Sequence, residues 1–422
     1  MNNKINLNQL ANAAKELRRK GERFTMLGIG PMSETLITAT LELAGEKRFP
    51  IMLIASRNQV DSDEFGAGYV CGWSQKRFAE AVNRIAGEIG FDGLVYLCRD
   101  HGGPWQRDEE RRAKLPVEEA MDIARRSYMQ DMRDGFDLLH IDPTKDPFCK
   151  GVVPLELVLE HTVELMECLE NFRKEEGLPE IAYEVGTEET NGGLTSNDAF
   201  EGFIKRLLAR LDEKKIIHPV FVVGQTGTLT RLTENVGHYD TKTAGALTAI
   251  ADKYGIGIKE HNGDYLRDAI LMEHPVLGVD ATNVAPEFGV AETRAYLELA
   301  HVEKKVCAAD ACSDLENAMQ KQAVLSERWR KWMVGDKQTI PVEEVLRDEE
   351  LTALITDICG HYTYEDAKVK AELAKMEKNL SAAGICMQDY VIRQLKVSID
   401  RYAYNFGMHG LKDKILAICN EE

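Results

Sequence analysis

Two short stretches of the chain place a carboxylate beside a histidine at the end of an apolar run. The first is Asp100-His101 in "YLCRDHGGPWQRD" (Tyr96–Asp108). The second is Glu260-His261 in "GIGIKEHNG" (Gly255–Gly263). A neutral imidazole ligates zinc and similar ions, and a neighbouring carboxylate can move a proton. Two histidines do not complete a tight catalytic zinc site. A further ligand is needed, and Glu184, Asp142 and Gln225 are the candidates. The other histidines read differently. His140, in the middle of "LLHID", reads as a hydrogen-bonded core residue. His218 precedes its run and falls at the opposite end, and His238 lies in a loop.

These groups need a scaffold. Eight β-rich runs recur with amphipathic helical stretches between them, beginning at Phe24, Pro50, Gly93, Phe136, Glu180, His218, Gly255 and Val276. Each has about five apolar residues, the length of a strand buried on both faces. Eight strand–helix units in succession are the count of a (β/α)8 TIM barrel. An open doubly wound sheet is the alternative, but "GIGPMS" after the first run lacks a full dinucleotide fingerprint. In a barrel the C-terminal strand ends meet on one face. The polar residues there are Arg57, Asn58 and Gln59; Asp100 and His101; Asp142; Glu184, Thr187, Glu188 and Glu189; Gln225 and Thr226; Glu260, His261 and Asp264; and Asp280, Thr282 and Asn283. Arg57, Asn58, Gln59, Asp142, Thr282 and Asn283 are the expected substrate contacts. Glycine-rich turns at the same rim, "HGGPW", "NGG", "GQTGT" and "HNGD", can expose N–H groups to an anion or simply close tight loops. Lys259 alternates within its run toward the barrel interior. From Leu297 onward the pattern is helical. The expected division is a barrel with an N-terminal helix over 1–305 and a helical C-terminal extension over 306–422.

Composition limits the partners. A formal net charge of −18 argues against nucleic acid and against anionic membranes. Nine scattered cysteines without a CxxC read as reduced thiols, and neither a signal-type h-region nor a membrane-length apolar run is present, so a cytoplasmic setting is expected. No GxxxxGK[ST] occurs, which sets a sugar-phosphate kinase aside.

Taken together, "IASRNQV", "RDHGGPW", "LLHIDPT", "YEVGTEETNGG", "VVGQTGT" and "KEHNGDYL" resemble, in order and spacing, the non-catalytic-subunit family of class II tagatose-bisphosphate aldolases. They resemble class II fructose-bisphosphate aldolases more distantly. The resemblance runs from about Phe24 to about His301. It implies a TIM barrel, a divalent metal (zinc first, manganese or a similar ion otherwise), His101 and His261 as ligands, and Asp100 as the acid–base group at the substrate's C4 hydroxyl. The family's third histidine, at strand six, is matched here by Gln225, which leaves Glu184 or Gln225 to complete the metal shell. Glu260 or Asp264 is the expected second proton carrier. The glycine-serine phosphate loop is replaced by Asn262-Gly263-Asp264, which favours a ketose or ketose monophosphate over a bisphosphate. The implied chemistry is cleavage of the C3–C4 bond, with release of the aldehyde (aldolase) or its re-addition on the other face (ketose 4-epimerase). The competing expectation is a stabilising subunit for a separate aldolase catalytic chain. The acidic helical tail could serve that contact or a homo-oligomer.

Overall fold

The computed structural model describes residues 5–187 and 193–421. Glu188, Glu189 and most of the "NGG" turn lie outside the described residues. Eight parallel strands close into a barrel in the order β1-β2-β3-β4-β5-β6-β9-β10. They are β1 (Met26–Ile29), β2 (Ile51–Ser56), β3 (Val95–Gly102), β4 (Leu138–Ile141), β5 (Ala182–Gly186), β6 (Phe221–Val223), β9 (Gly257–Glu260) and β10 (Ala281–Val284). The two-residue strands β7 (Thr230–Arg231) and β8 (Glu234–Asn235) form a hairpin above the rim. The expected (β/α)8 architecture is therefore present.

Helices follow the strands. They are α1 (Leu7–Arg19), α2 (Glu34–Lys47), α3 (Gln75–Glu88), α4 (Asp108–Ala113), α5 (Val117–Arg133), α6 (Leu155–Glu175), α7 (Asn197–Lys214), α8 (Thr241–Lys253), α9 (Asp268–Leu277) and α10 (Pro286–Val306). Beyond α10 come α11 (Leu315–Leu325), α12 (Val342–Val345), α13 (Glu349–Cys359), α14 (Ala367–Ala382), α15 (Met387–Asn405) and α16 (Leu411–Glu421). The C-terminal part does not stand apart from the barrel. α15 buries Val391, Leu395, Ile399 and Tyr402 in the same core as the barrel helices. α16 turns back beneath the barrel.

Strand alternation divides the apolar residues into two cores. Outward-facing Leu53, Leu97, Leu139, Ile141, Val185 and Val222 pack on the helices. Inward-facing Met52, Ile54, Cys98, Leu138, Ala182, Phe221 and Ala281 form the barrel interior, together with Leu7, Leu10 and Leu17 of α1 and Leu411, Ile415 and Ile418 of α16. These two helices close the end of the barrel where the strands begin. The Tyr96 hydroxyl donates to the Ile5 carbonyl there (3.2 Å). α1 is fixed by a reciprocal cap in which the Asn6 and Gln9 side chains each accept the other residue's N–H.

One strand begins later than its apolar run suggests. Val276 and Leu277 belong to the last turn of α9, which Gly278 ends at φ +83°. Asp280 consequently precedes β10 and sits at the closed end of the barrel. It accepts the Ile258 N–H (2.8 Å) and pairs with Arg18 of α1. Among the described residues no helix is long and apolar enough to cross a membrane.

Candidate metal centre and cavity

The strand β3 ends in Asp100-His101-Gly102, with Gly103 following, and its local geometry explains why. Consecutive strand residues normally point to opposite faces. The β3–β4 ladder shifts register between Arg99 and Gly102, and His101 takes φ +43°. This bulge turns both Asp100 and His101 toward the cavity. The glycines that follow are required by space. A Cβ on Gly102 would lie 2.3 Å from the Tyr128 ring, and one on Gly103 (φ +125°) would lie 2.6 Å from the Asp142 carbonyl oxygen.

His101, His140 and His261 form one group in which a ring nitrogen from each lies within 4.8 Å of the others. His101 Nε2 is 3.0 Å from His261 Nδ1. Each of these two rings has a carboxylate behind it. Asp142 Oδ2 accepts His101 Nδ1–H at 2.6 Å, and Glu184 Oε1 accepts His261 Nε2–H at 2.7 Å. Such partners fix the tautomer and leave the opposite nitrogen's lone pair facing the group centre. Glu184 is in turn neutralised by Lys259 Nζ at 2.6 Å.

His140 was expected to be a satisfied core residue, and the structure corrects this. In β4, Leu138 faces inward and Ile141 outward, so alternation sends His140 inward, in register with Glu184 of β5. Its Nδ1 receives only the His101 N–H at 3.2 Å, and its Nε2 is buried with no hydrogen-bond partner.

The electrostatics suit a cation. Burial lowers the His140 ring to about 4, so it is neutral, as a ligand must be. Burial raises Glu184, but Lys259, His140 and His261 more than offset this and hold it well below the carboxylate range. Asp142 is likewise raised by burial and held well down by His101, His140 and Thr144. Burial also raises Asp100, while His101, His261, His140 and Lys259 bring it below its ordinary value. Two ligand nitrogens on a tetrahedral zinc lie about 3.3 Å apart, close to the His101–His261 separation. The three-imidazole donor set and the carboxylates paired behind two of the rings fit a divalent ion.

A cavity of about 290 Å³ opens over this group, lined among others by Asn58, Gln59, Asp100, His101, His261, Asp264 and Asn283. Asn283 Nδ2 donates to Asp100 Oδ1 at 3.0 Å, and His261 Nδ1 lies 3.7 Å from the same oxygen. Asp264 accepts the backbone N–H groups of Glu287 (2.9 Å) and Ala285 (3.0 Å) at the start of α10. Burial first, and the Glu287 charge with it, raise Asp264 to about 7 despite those bonds. The β7–β8 hairpin secures this turn, since Asn235 Nδ2 donates to the carbonyls of Asn262 and Asp264, both at 3.0 Å.

Four expected site residues lie elsewhere. Glu260 is the outward residue of β9 and binds Thr226 and His274 Nε2 (2.8 Å for the latter). Thr282 alternates outward in β10, against Gly263. Arg57 is buried in ion pairs with Asp61 (3.0 Å) and Glu110 (2.8 Å). Gln225 is tied through its backbone to Thr195 (2.7 and 3.1 Å) and does not line the cavity. Sequence reasoning missed His140, whose strand phase was the available signal. It also missed Tyr69, Gln106, Lys145, Lys331, Trp332 and Tyr362 of the cavity wall. The last three come from the C-terminal helical region.

A closed (β/α)8 barrel carrying a three-histidine group beneath a polar cavity defines the class. The chain belongs to the family described as D-tagatose-1,6-bisphosphate aldolase subunit GatZ/KbaZ-like, whose model matches residues 10–402. Solved structures share the fold at low identity. A probable tagatose 6-phosphate kinase from Sinorhizobium meliloti 1021 matches with TM-score 0.75 at 20% identity, over 90% of this chain and 100% of that one. The fructuronate-tagaturonate epimerase UxaE from Cohnella laeviribosi matches with TM-score 0.56 at 14% identity, over 92% of this chain and 82% of that one. A fructose-bisphosphate aldolase from Campylobacter jejuni matches with TM-score 0.50 at 14% identity, over 89% and 94%.

Proposed function

We propose that the chain is a divalent-metal-dependent enzyme that breaks, or breaks and remakes, a carbon–carbon bond of a keto-sugar. The observation that carries this reading is the ionised Asp100 carboxylate in the same cavity as the three-histidine group. His101, His140 and His261 would hold the ion, with Asp142 and Glu184 orienting two of the rings. Zinc suits three imidazoles best, with manganese or a similar ion the alternative. A bound ion would supply Lewis-acid stabilisation of negative charge developing on the sugar's carbonyl and adjacent hydroxyl oxygens.

The chain's own residues supply the rest. Asp100, aimed by the Asn283 amide, takes the proton of the hydroxyl on C4, the carbon at the far end of the C3–C4 bond that breaks. Asp264, raised to about 7, can hold or return a proton near neutral pH. Buried acceptors without protein partners, Gln106 Oε1 and Asn283 Oδ1, are available to sugar hydroxyls. The names of two fold neighbours, a fructose-bisphosphate aldolase and a fructuronate-tagaturonate epimerase, correspond to the two outcomes of such a cleavage.

A second reading is favoured by the family description, which names an aldolase subunit. Here the chain would stabilise a separate catalytic chain. The purified chain, loaded with zinc or manganese, should be incubated with ketohexoses, ketohexuronates and their phosphates and followed by NMR. A cleaved or C4-inverted product, lost in Asp100→Ala, supports the enzyme. No turnover by the chain alone, together with stimulation of an added aldolase subunit that Asp100→Ala leaves intact, supports the stabiliser.

A further inference from the structure

The cavity wall contributed by the C-terminal region carries a cation with no obvious structural duty. Lys331 ends a short turn, Arg328–Lys331, that Trp329 anchors. The Trp329 indole is 0% exposed, packs with Val324, Met333, Val345 and Ile355, and donates to the Val324 carbonyl at 2.9 Å. Lys331 itself is exposed and lines the cavity, as does Lys145 from the loop after β4. The neighbouring arginines are neutralised, since Arg111 pairs with Asp108, Arg112 with Glu109 and Arg330 with Glu327. Among the described residues no carboxylate lies within ion-pair distance of Lys331. Its ammonium rests instead near aromatic faces, 5.1 Å from the Trp332 ring centroid and 5.5 Å from that of Tyr362. Arg328, packed between Tyr69 (4.6 Å) and Tyr362 (4.9 Å), adds positive charge beside it. In a chain of net charge −18 this is a local exception.

The usual backbone position for an anion is already taken. The N-terminus of α10 opens on the same cavity, and such helix ends bind phosphates and carboxylates. Here Asp264 occupies the N–H groups of Ala285 and Glu287. An anionic substrate group has to be met by side chains instead.

We propose that Lys331, with Lys145, receives an anionic end of the substrate, a carboxylate or phosphate on the carbon farthest from the carbonyl of a keto-sugar. This rests on the keto-sugar reading above and narrows it to acidic sugars. It also gives the C-terminal region a role in specificity, because Lys331, Trp332 and Tyr362 reach the cavity only when that region is folded onto the barrel.

The test is calorimetric binding of three probes to the zinc-loaded chain: D-tagatose, D-tagatose 6-phosphate and D-tagaturonate. Wild type should bind at least one acidic probe tenfold or more tightly than D-tagatose. Lys331→Gln should shrink that preference at least tenfold, and Lys331→Arg should retain most of it. A preference that collapses for the phosphate alone assigns a sugar phosphate, and for the carboxylate alone a sugar acid. A preference of the same size in Lys331→Gln, or none in wild type, overturns the proposal. Because binding needs no turnover, a Lys331-dependent preference in a chain that converts nothing would refute the enzyme reading and leave this one standing. Turnover with no effect of Lys331→Gln would do the reverse.

Discussion

Replacing Asp142 with Asn tests how the metal group is held. Asp142 is 2% exposed and accepts from three donors. Oδ2 takes His101 Nδ1–H at 2.6 Å, while Oδ1 takes the Thr144 N–H at 3.2 Å and the Thr144 hydroxyl. Asparagine has one acceptor oxygen. If Thr144 retains it, the amide NH₂ faces His101 Nδ1 and forces that nitrogen to accept. The proton then moves to Nε2, the nitrogen that faces His261, and the lone pair is lost to the ion. If the ring keeps its tautomer, the Thr144 donors are left buried and unmatched. Removing such an orienting partner costs about 10- to 100-fold in metal affinity, or about 1.4–2.7 kcal/mol. Competition titration against a zinc-selective chelator measures this, with thermal melting of the metal-free protein as the control for folding. A dissociation constant within threefold of wild type, in a protein that melts normally, would show that Asp142 does not position a ligand.

Other expectations follow from the same geometry. Asp100→Asn should keep the metal and lower turnover by about 10²–10⁴-fold, measured by NMR product formation against metal content. Lys259→Met leaves Glu184 buried beside one partner fewer and should cost about 3–5 kcal/mol in urea unfolding. The pH dependence of stability has a definite sign. Burial raises Glu292 to about 8 and Asp264 and Asp137 to about 7. Between about pH 4 and 8 these three groups hold protons in the folded state that the unfolded chain has released, so the stability they contribute is fully present below this window and is lost as pH rises through it. Glu292→Gln should flatten the fall between pH 5 and 8.5 in denaturant titrations, and an identical slope would refute the assignment.

The barrel was legible because buried parallel strands leave dense apolar runs, and their polar ends mark one face. Asp100, His101, His261, Asp264 and Asn283 were found by that rule. Its weakness lies in phase. Glu260 and Thr282 sit at strand ends yet point outward, while His140 sits inside its strand and points in. Counting alternation within each strand, from Leu138, Ile258 and Ala281, would have separated them. Asp280 misled because an apolar helix end, Val276-Leu277, runs directly toward the strand. The bulge at His101 has no sequence mark beyond the glycines that follow it. The cavity wall from Lys331, Trp332 and Tyr362 depends on a chain return of more than 200 residues from Asp100, which no local pattern encodes.

The proposed chemistry rests most heavily on the three-histidine group. Zinc titration of the metal-free chain, by calorimetry with mass-spectrometric stoichiometry, should give one ion per chain in wild type and a loss of at least 100-fold in affinity in His140→Ala. No bound zinc in wild type, or unaltered affinity in His140→Ala, would contradict it.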